Sequence, residues 1–186
     1  MKAVVFTLGC KVNSCESASL KSGLEKLGYE TSEELSFADL YIINTCAVTA
    51  EAEKKSRQAI ARARKYNPDC KIIVTGCASE KSPKDFLAKN NVTLVTGAKS
   101  KDRILSMLDE RGEKFDETDE YYEEYLPAGT DKERAYIKVQ DGCDNFCSYC
   151  IIPYLRGRSR SRKKENVLKE IEYLNPEEAV VTGINL

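Results

Sequence analysis

Short apolar runs rich in β-branched residues recur along the chain. Between them, apolar positions fall every three or four residues. The runs at 3–8 (AVVFTL), 40–44 (LYIIN), 71–75 (KIIVT) and 92–95 (VTLV) have almost no polar alternation. Such runs mark strands buried on both faces. A weaker strand is expected at 29–31. Helices are expected at 13–27, 50–66 and 100–108, and from Ser82-Pro83 onward. Asn13 opens N-x-x-E with Glu16, which resembles a capping box, and Gly28 follows the last turn. Asn67-Pro68 closes the second helix. Ser82, Pro83 and Asp85 supply an N-cap residue, a first-turn proline and an early acid. Strands alternating with helices predict an α/β fold: a doubly wound parallel sheet of four or five strands over residues 1–112.

The pattern then breaks. Residues 113–124 carry seven acids and one Lys, with little periodicity. They read as a solvated linker, 113–132, ending near Pro127-Ala128-Gly129. A second unit, 133–186, has a strand at 135–139, a cysteine-rich loop, a basic segment, a helix at 164–174 and a strand at 179–182. One such unit cannot cover both faces of its own sheet. The expectation is that it packs on the first domain, or is the first slice of something longer.

Composition narrows the chemistry. Of 186 residues, 41% are hydrophobic and 32% charged, as in a globular protein. Lys and Arg total 29 against 30 Asp and Glu, so any nucleic-acid contact must come from a local patch. No apolar run approaches the length of a membrane span, and 4–8 is too short for a signal-peptide core. The chain reads as cytoplasmic, with no membrane partner. It has no His and 8 Cys. The missing His excludes Ser-His-Asp and Cys-His nucleophile pairs and His-bearing zinc motifs. Clustered cysteines in a reducing compartment bind metal or react more often than they form disulfides.

Six of the eight fall into two sets. Cys10, Cys46 and Cys77 each follow a predicted strand, and parallel strands end on one edge, where ligands bind. Gly9 and Gly76 precede two of them and would permit tight turns. Three thiolates without His suit iron–sulfur better than zinc. The competing reading is three small buried apolar residues. Cys143, Cys147 and Cys150 form C-x3-C-x2-C (GCDNFCSYC) in one loop after a strand. Three ligands on a four-iron cluster leave one iron open, as a catalytic metal site requires. A zinc ribbon would lack its fourth ligand. Cys15 lies about one turn into the first helix, and Cys70 sits at the opposite sheet edge; both read as spectators.

The loop, with an aromatic (Tyr149) before its last Cys, resembles the radical S-adenosylmethionine superfamily. The wider run GCDNFCSYCIIPYLRGRSRSR and the opening TLGCKVNSCES are similar to the methylthiotransferases, over essentially the whole chain. TLGCKVN points to the tRNA branch, which adds a methylthio group to C2 of N6-threonylcarbamoyladenosine next to the anticodon. The resemblance implies one 4Fe-4S cluster on Cys10, Cys46 and Cys77. It implies a second on Cys143, Cys147 and Cys150, in the first β/α unit of a radical SAM partial barrel. It further implies S-adenosyl-L-methionine on the open iron, a tRNA partner, and an electron donor such as flavodoxin or ferredoxin. Tyr149 would lie beside the cofactor adenine, and Thr182-Gly183 near its methionine amino group. For these, packing or a turn is the alternative.

Three departures stand out. Cys15 replaces a common aromatic. Ala-Ser-Glu follows Cys77 where many members have Tyr-Ala-Gln. Members continue through a barrel and an RNA-binding domain beyond the point matching Leu186, so an N-terminal fragment, inactive alone, is expected. Arg156, Arg158, Arg160, Arg162, Lys163 and Lys164 put six cations in nine positions. They suggest contact with RNA phosphate or the cofactor carboxylate, Arg158 included, against the plainer reading of a solvated face. Two other functions stay open: a non-catalytic iron–sulfur module for electron transfer or sensing, and a methylthiotransferase acting on a ribosomal-protein aspartate.

Overall fold

A computed structural model describes residues 1–115 and 134–186. The first unit runs β1 (Lys2–Thr7), α1 (Lys11–Lys26), β2 (Glu30–Ser32), β3 (Leu40–Thr45), α2 (Ala50–Tyr66), β4 (Lys71–Gly76), α3 (Cys77–Lys81), α4 (Pro83–Leu87), β5 (Val92–Thr96), a 3-10 turn (Lys101–Ser106) and β6 (Gly112–Lys114). All six strands join one sheet in the order β2-β1-β3-β4-β5-β6, and every pairing is parallel. The α/β, doubly wound expectation holds.

Side chains alternate across this sheet, and both sides are covered. Val4, Tyr41, Ile43, Ile72, Val74 and Val95 pack with Ala59, Ile60 and Ala63 of α2 and Phe86 of α4. Ala3, Val5, Leu40, Ile42, Ile73 and Leu94 pack with Leu20 and Leu24 of α1, and with Ile104 and Met107. Each large aliphatic removed from water contributes about 1.5–3 kcal/mol, which is why the strands read as unbroken apolar runs. Thr49 caps α2, its hydroxyl accepting from the Ala52 N–H at 3.2 Å.

Several local expectations are corrected. Asn13 and Glu16 form no capping box: α1 begins at Lys11 behind Cys10, and both residues are buried within the helix. Ser82 makes no side-chain cap, and α4 lasts five residues. Where an α-helix is expected over 100–108, a 3-10 turn spans Lys101–Ser106. Its i,i+3 repeat sets Ile104 and Met107 on one face, toward the core. Glu113 and Lys114, read as the start of the linker, pair with β5 as the sixth strand; Leu94 lies opposite Gly112 and Val95 opposite Glu113. The rest of the expected linker, Pro127-Ala128-Gly129 included, lies outside the described residues apart from Phe115.

The second unit runs β7 (Arg134–Lys138), β8 (Gln140–Asp141), α5 (Ile152–Arg156), β9 (Arg160–Ser161), α6 (Lys164–Leu174) and β10 (Glu178–Thr182). β7 and β10 pair in parallel, with α6 in the crossover, while β8 and β9 form a short antiparallel pair. The unit packs on the first, one of the two outcomes the sequence leaves open. The Cys15 thiol donates to the Tyr136 carbonyl at 3.4 Å, and the Lys11 ammonium lies 5.4 Å from the Tyr136 ring centroid.

Candidate metal centre

The strands ahead of Cys10, Cys46 and Cys77 are neighbours in the sheet, β1-β3-β4. Adjacent parallel strands lie about 4.8 Å apart, so three consecutive strand ends bring their following loops together. Cys10 stands exposed at the N-cap of α1, Cys46 is buried just after β3, and Cys77 is buried as the first residue of α3. Gly9 and Gly76 both have φ +104°, and a Cβ at Gly9 would lie 2.8 Å from the Cys46 Sγ. A Cβ at Gly76 would lie 2.5 Å from the Thr45 carbonyl oxygen. Only glycine lets these loops close on one another.

Polar side chains lash the same edge together. The Thr45 hydroxyl donates to Thr75 O at 2.7 Å and accepts from the Ala78 and Ser79 N–H groups, both at 3.2 Å. It thus joins the end of β3 to the start of α3. The Asn13 amide donates to Leu8 O at 2.7 Å and Thr45 O at 3.1 Å, tying the residues that lead into Cys10 and Cys46. The fit to a thiolate-held group lies in the donor set: three sulfurs, one edge, no imidazole. Among the described residues, no three Cys, Asp or Glu side chains close to metal-ligating distance, so the thiols share the edge as separate groups.

Cys143, Cys147 and Cys150 occupy the loop between β8 and α5, respectively buried, exposed and half-buried. The Cys150 N–H donates to Cys147 O at 2.9 Å, and the Cys143 N–H to Gly157 O at 3.1 Å. Phe146 takes φ +46°, a left-handed conformation uncommon for an aromatic residue. Its ring meets Tyr154 edge-on at 5.8 Å, and the Arg158 guanidinium lies 4.7 Å from its centroid. Tyr149 is 89% exposed beside this loop. Thr182 ends β10, and Gly183 packs against Gln140. Gln140 is a site residue that the sequence reading misses. Its carbonyl oxygen accepts from the Ile184 and Asn185 N–H groups at 2.8 and 2.9 Å, and its amide donates to Asp141 O and Gly142 O. One side chain therefore links the turn after β10 to the base of the cysteine loop.

Sequence reasoning also misses a buried polar cluster between the two cysteine sets. Lys101 pairs with Glu16, and Lys138 with Glu16 at 2.8 Å and Asp141 at 2.7 Å. Arg156 reaches Glu16 and Asp141, each at 2.9 Å, and Asn13 Oδ1 at 2.5 Å. Burial alone would raise the Glu16 carboxyl, but Arg156, Lys101 and Lys138 overcome it and hold the group well below its usual range. Asp141 is likewise lowered: Lys138 and Arg156 outweigh its desolvation. The signals that could have found it are an acid on the same helix face as Val12, Leu20 and Leu24, and Lys138 and Asp141 at the ends of β7 and β8.

The six-cation run divides. Arg156 and Arg160 are buried, and the Arg162 side chain pairs with Glu170. Arg160 donates to Arg156 O at 2.8 Å. Arg158, Lys163 and Lys164 face solvent, so the single basic strip expected from the sequence is half interior structure. All eight cysteines are free thiols. Burial pushes Cys15 up to about 12, with Glu16 adding to it, and burial also raises Cys70 and Cys77. Arg156 and Lys101 oppose the rise at Cys77.

Residues 2–97 match the model of the "Uncharacterized protein family UPF0004". The chain belongs to this family. This UPF0004 chain is 41% identical, over its whole length, to the "Threonylcarbamoyladenosine tRNA methylthiotransferase MtaB" of Bacillus subtilis, covering 44% of that protein. It is 45% identical to the protein of the same name from Chlamydia pneumoniae, over 96% of this chain and 42% of the relative. It is 38% identical to the "tRNA-2-methylthio-N(6)-dimethylallyladenosine synthase" of Thermosipho africanus, over 94% of this chain and 42% of the relative. The chain thus spans less than half the length of these curated relatives. The resemblance to methylthiotransferases read from the cysteine motifs is borne out. Among the described residues, no helix is long and apolar enough to cross a membrane.

Proposed function

We propose that this chain is the N-terminal portion of a tRNA methylthiotransferase that modifies C2 of N6-threonylcarbamoyladenosine beside the anticodon. The observation that carries the reading is two sets of three cysteines, one on the β1-β3-β4 edge and one in the β8–α5 loop, on either side of a shared buried cluster. Cys10, Cys46 and Cys77 would hold one 4Fe-4S cluster, and Cys143, Cys147 and Cys150 the other. When bound, the clusters and S-adenosyl-L-methionine supply the radical and sulfur chemistry, and the protein supplies position. Residues 133–186 are read as the start of a radical SAM domain, with β7, α6 and β10 as its first β/α unit. The first unit, through the end of β6 at Lys114, is read as the methylthiotransferase domain, and the linker follows it.

In this reading Tyr149 offers an exposed ring to the cofactor adenine. Thr182 and Gly183 close the far end of its site through Gln140, and Arg158 receives a carboxylate or phosphate. The partners are tRNA and an electron donor such as flavodoxin or ferredoxin, in the cytoplasm. The threonylcarbamoyl substrate is favoured over the dimethylallyl one by the TLGCKVN loop and by the names of the Bacillus and Chlamydia relatives.

Anaerobic reconstitution with iron and sulfide tests the assignment. About eight irons per chain are expected, falling by about half in Cys46→Ala and in Cys143→Ala. Zinc without iron would refute it. Nucleoside mass analysis of tRNA from a deletion strain separates the substrates: retention of the methylthio group on N6-threonylcarbamoyladenosine rejects this one.

A further inference from the structure

We infer that Arg156 is a positioning residue that seats the second cysteine loop on the first cysteine edge and sets the electrostatic surroundings of the group held by Cys10, Cys46 and Cys77. The inference rests on the reading of those cysteines as cluster ligands.

Arg156 lies six residues beyond Cys150, at the end of α5, and is 1% exposed. Its guanidinium bonds Asn13 Oδ1, and Asn13 in turn holds Leu8 O and Thr45 O. Those carbonyls lead directly into Gly9-Cys10 and into Cys46. The third cysteine is reached through packing: α3, which begins with Cys77, packs on α5, and the Arg156 charge opposes the rise that burial gives the Cys77 thiol. One side chain from the second unit therefore bears on the footing of every cysteine in the first set, two of them through Asn13.

Docking alone does not demand this arrangement. Buried ion clusters are often no more stabilising than apolar packing of the same volume. What this cluster adds is charge. Lys101, Lys138 and Arg156 are buried and share the carboxylates of Glu16 and Asp141. Arg160 approaches Asp141 at 4.0 Å. Arg156 and Lys101 are the cations that act on Cys77, opposing the rise that burial gives its thiol. A four-iron cluster on three thiolates is a net anion, so these two cations favour its presence and still more its reduced form. Hydrogen bonds to cluster sulfurs and nearby cations raise a reduction potential.

The test uses this chain in a Cys143→Ala background, so that only the first set is loaded. After anaerobic reconstitution, the midpoint potential of the remaining cluster is read by spectroelectrochemistry beside the iron count. Arg156→Met is expected to lower the potential and Arg156→Lys to lower it less, because charge survives but the fork does not. Lys89→Gln, which removes an exposed cation beyond α4, serves as control and should leave it in place. Glu16→Gln removes an anion from the same cluster and should shift the potential upward. Arg156→Lys, which keeps a charge at the same place, decides the matter if Arg156→Met does not fold. An unmoved potential with iron retained overturns the inference, as does a downward shift in Glu16→Gln. A parent chain that takes up no iron overturns the cluster reading itself, before any potential is measured.

Discussion

Cys15 and Asn13 lie two residues apart on α1 and show how little a local motif says once a side chain is buried. Spacing alone sets Cys15 aside, and its surroundings agree: its thiol donates to Tyr136 O and titrates near 12 rather than 9.0 because burial disfavours the thiolate. The unfolded thiol ionises first, so its protonated state contributes stability below about pH 9 that is lost between about 9 and 12. Denaturant midpoints should therefore fall through that window, and less steeply in Cys15→Ala. An equal slope in both proteins would contradict this assignment. Asn13 and Glu16 go the other way. N-x-x-E fits a capping box, yet both side chains turn inward to meet Arg156, whose sequence position lies 140 residues from Glu16. No local pattern carries that partnership. The six candidate ligand cysteines are legible because spacing after strands is a topological property, whereas the residues that support them are joined only in space.

At the level of elements, strands are the most legible. Both faces of β3 and β4 are buried, so their composition alone announces them. Short elements escape: α3 has five residues and β6 three, too few for any periodicity to accumulate. The 3-10 turn passes for an α-helix in the sequence because both repeats place Ile104 and Met107 on one side. The basic segment around β9 shows the reverse problem, since charge is legible there but exposure is not. Arg156, Arg160 and Arg162 point inward, leaving Arg158, Lys163 and Lys164 for any phosphate. Replacing those three with Gln should weaken tRNA binding and lower the slope of log K against log salt, by roughly 0.7–0.9 for each phosphate no longer neutralised. Binding measured across a salt series checks this. An unchanged slope would assign the patch to solvent.

Across the whole molecule, the buried cluster makes the joint between units sensitive to acid. The folded carboxyls of Glu16 and Asp141 sit below their ordinary values of 4.5 and 3.8. Their stabilisation is therefore complete above that range and is lost as pH falls through the lowered values. Amide exchange on acidification should rise in α5 and β7 before it rises in β3 and β4. In Glu16→Gln it should already be raised at neutral pH, because a buried cation is left without its partner, a change that costs about 3–5 kcal/mol. Simultaneous exchange in all four elements would show that the units open as one.

The same cluster has an order in time. Glu16 and Lys101 both belong to the first unit, so a chain made from its N-terminus can pair them before Lys138, Asp141 and Arg156 exist. The later residues carry their own internal answer, since Asp141 bonds both Lys138 and Arg156. Each half thus enters the joint with its charges already partly matched. Neither half has to wait for the other before its buried charges find a first partner.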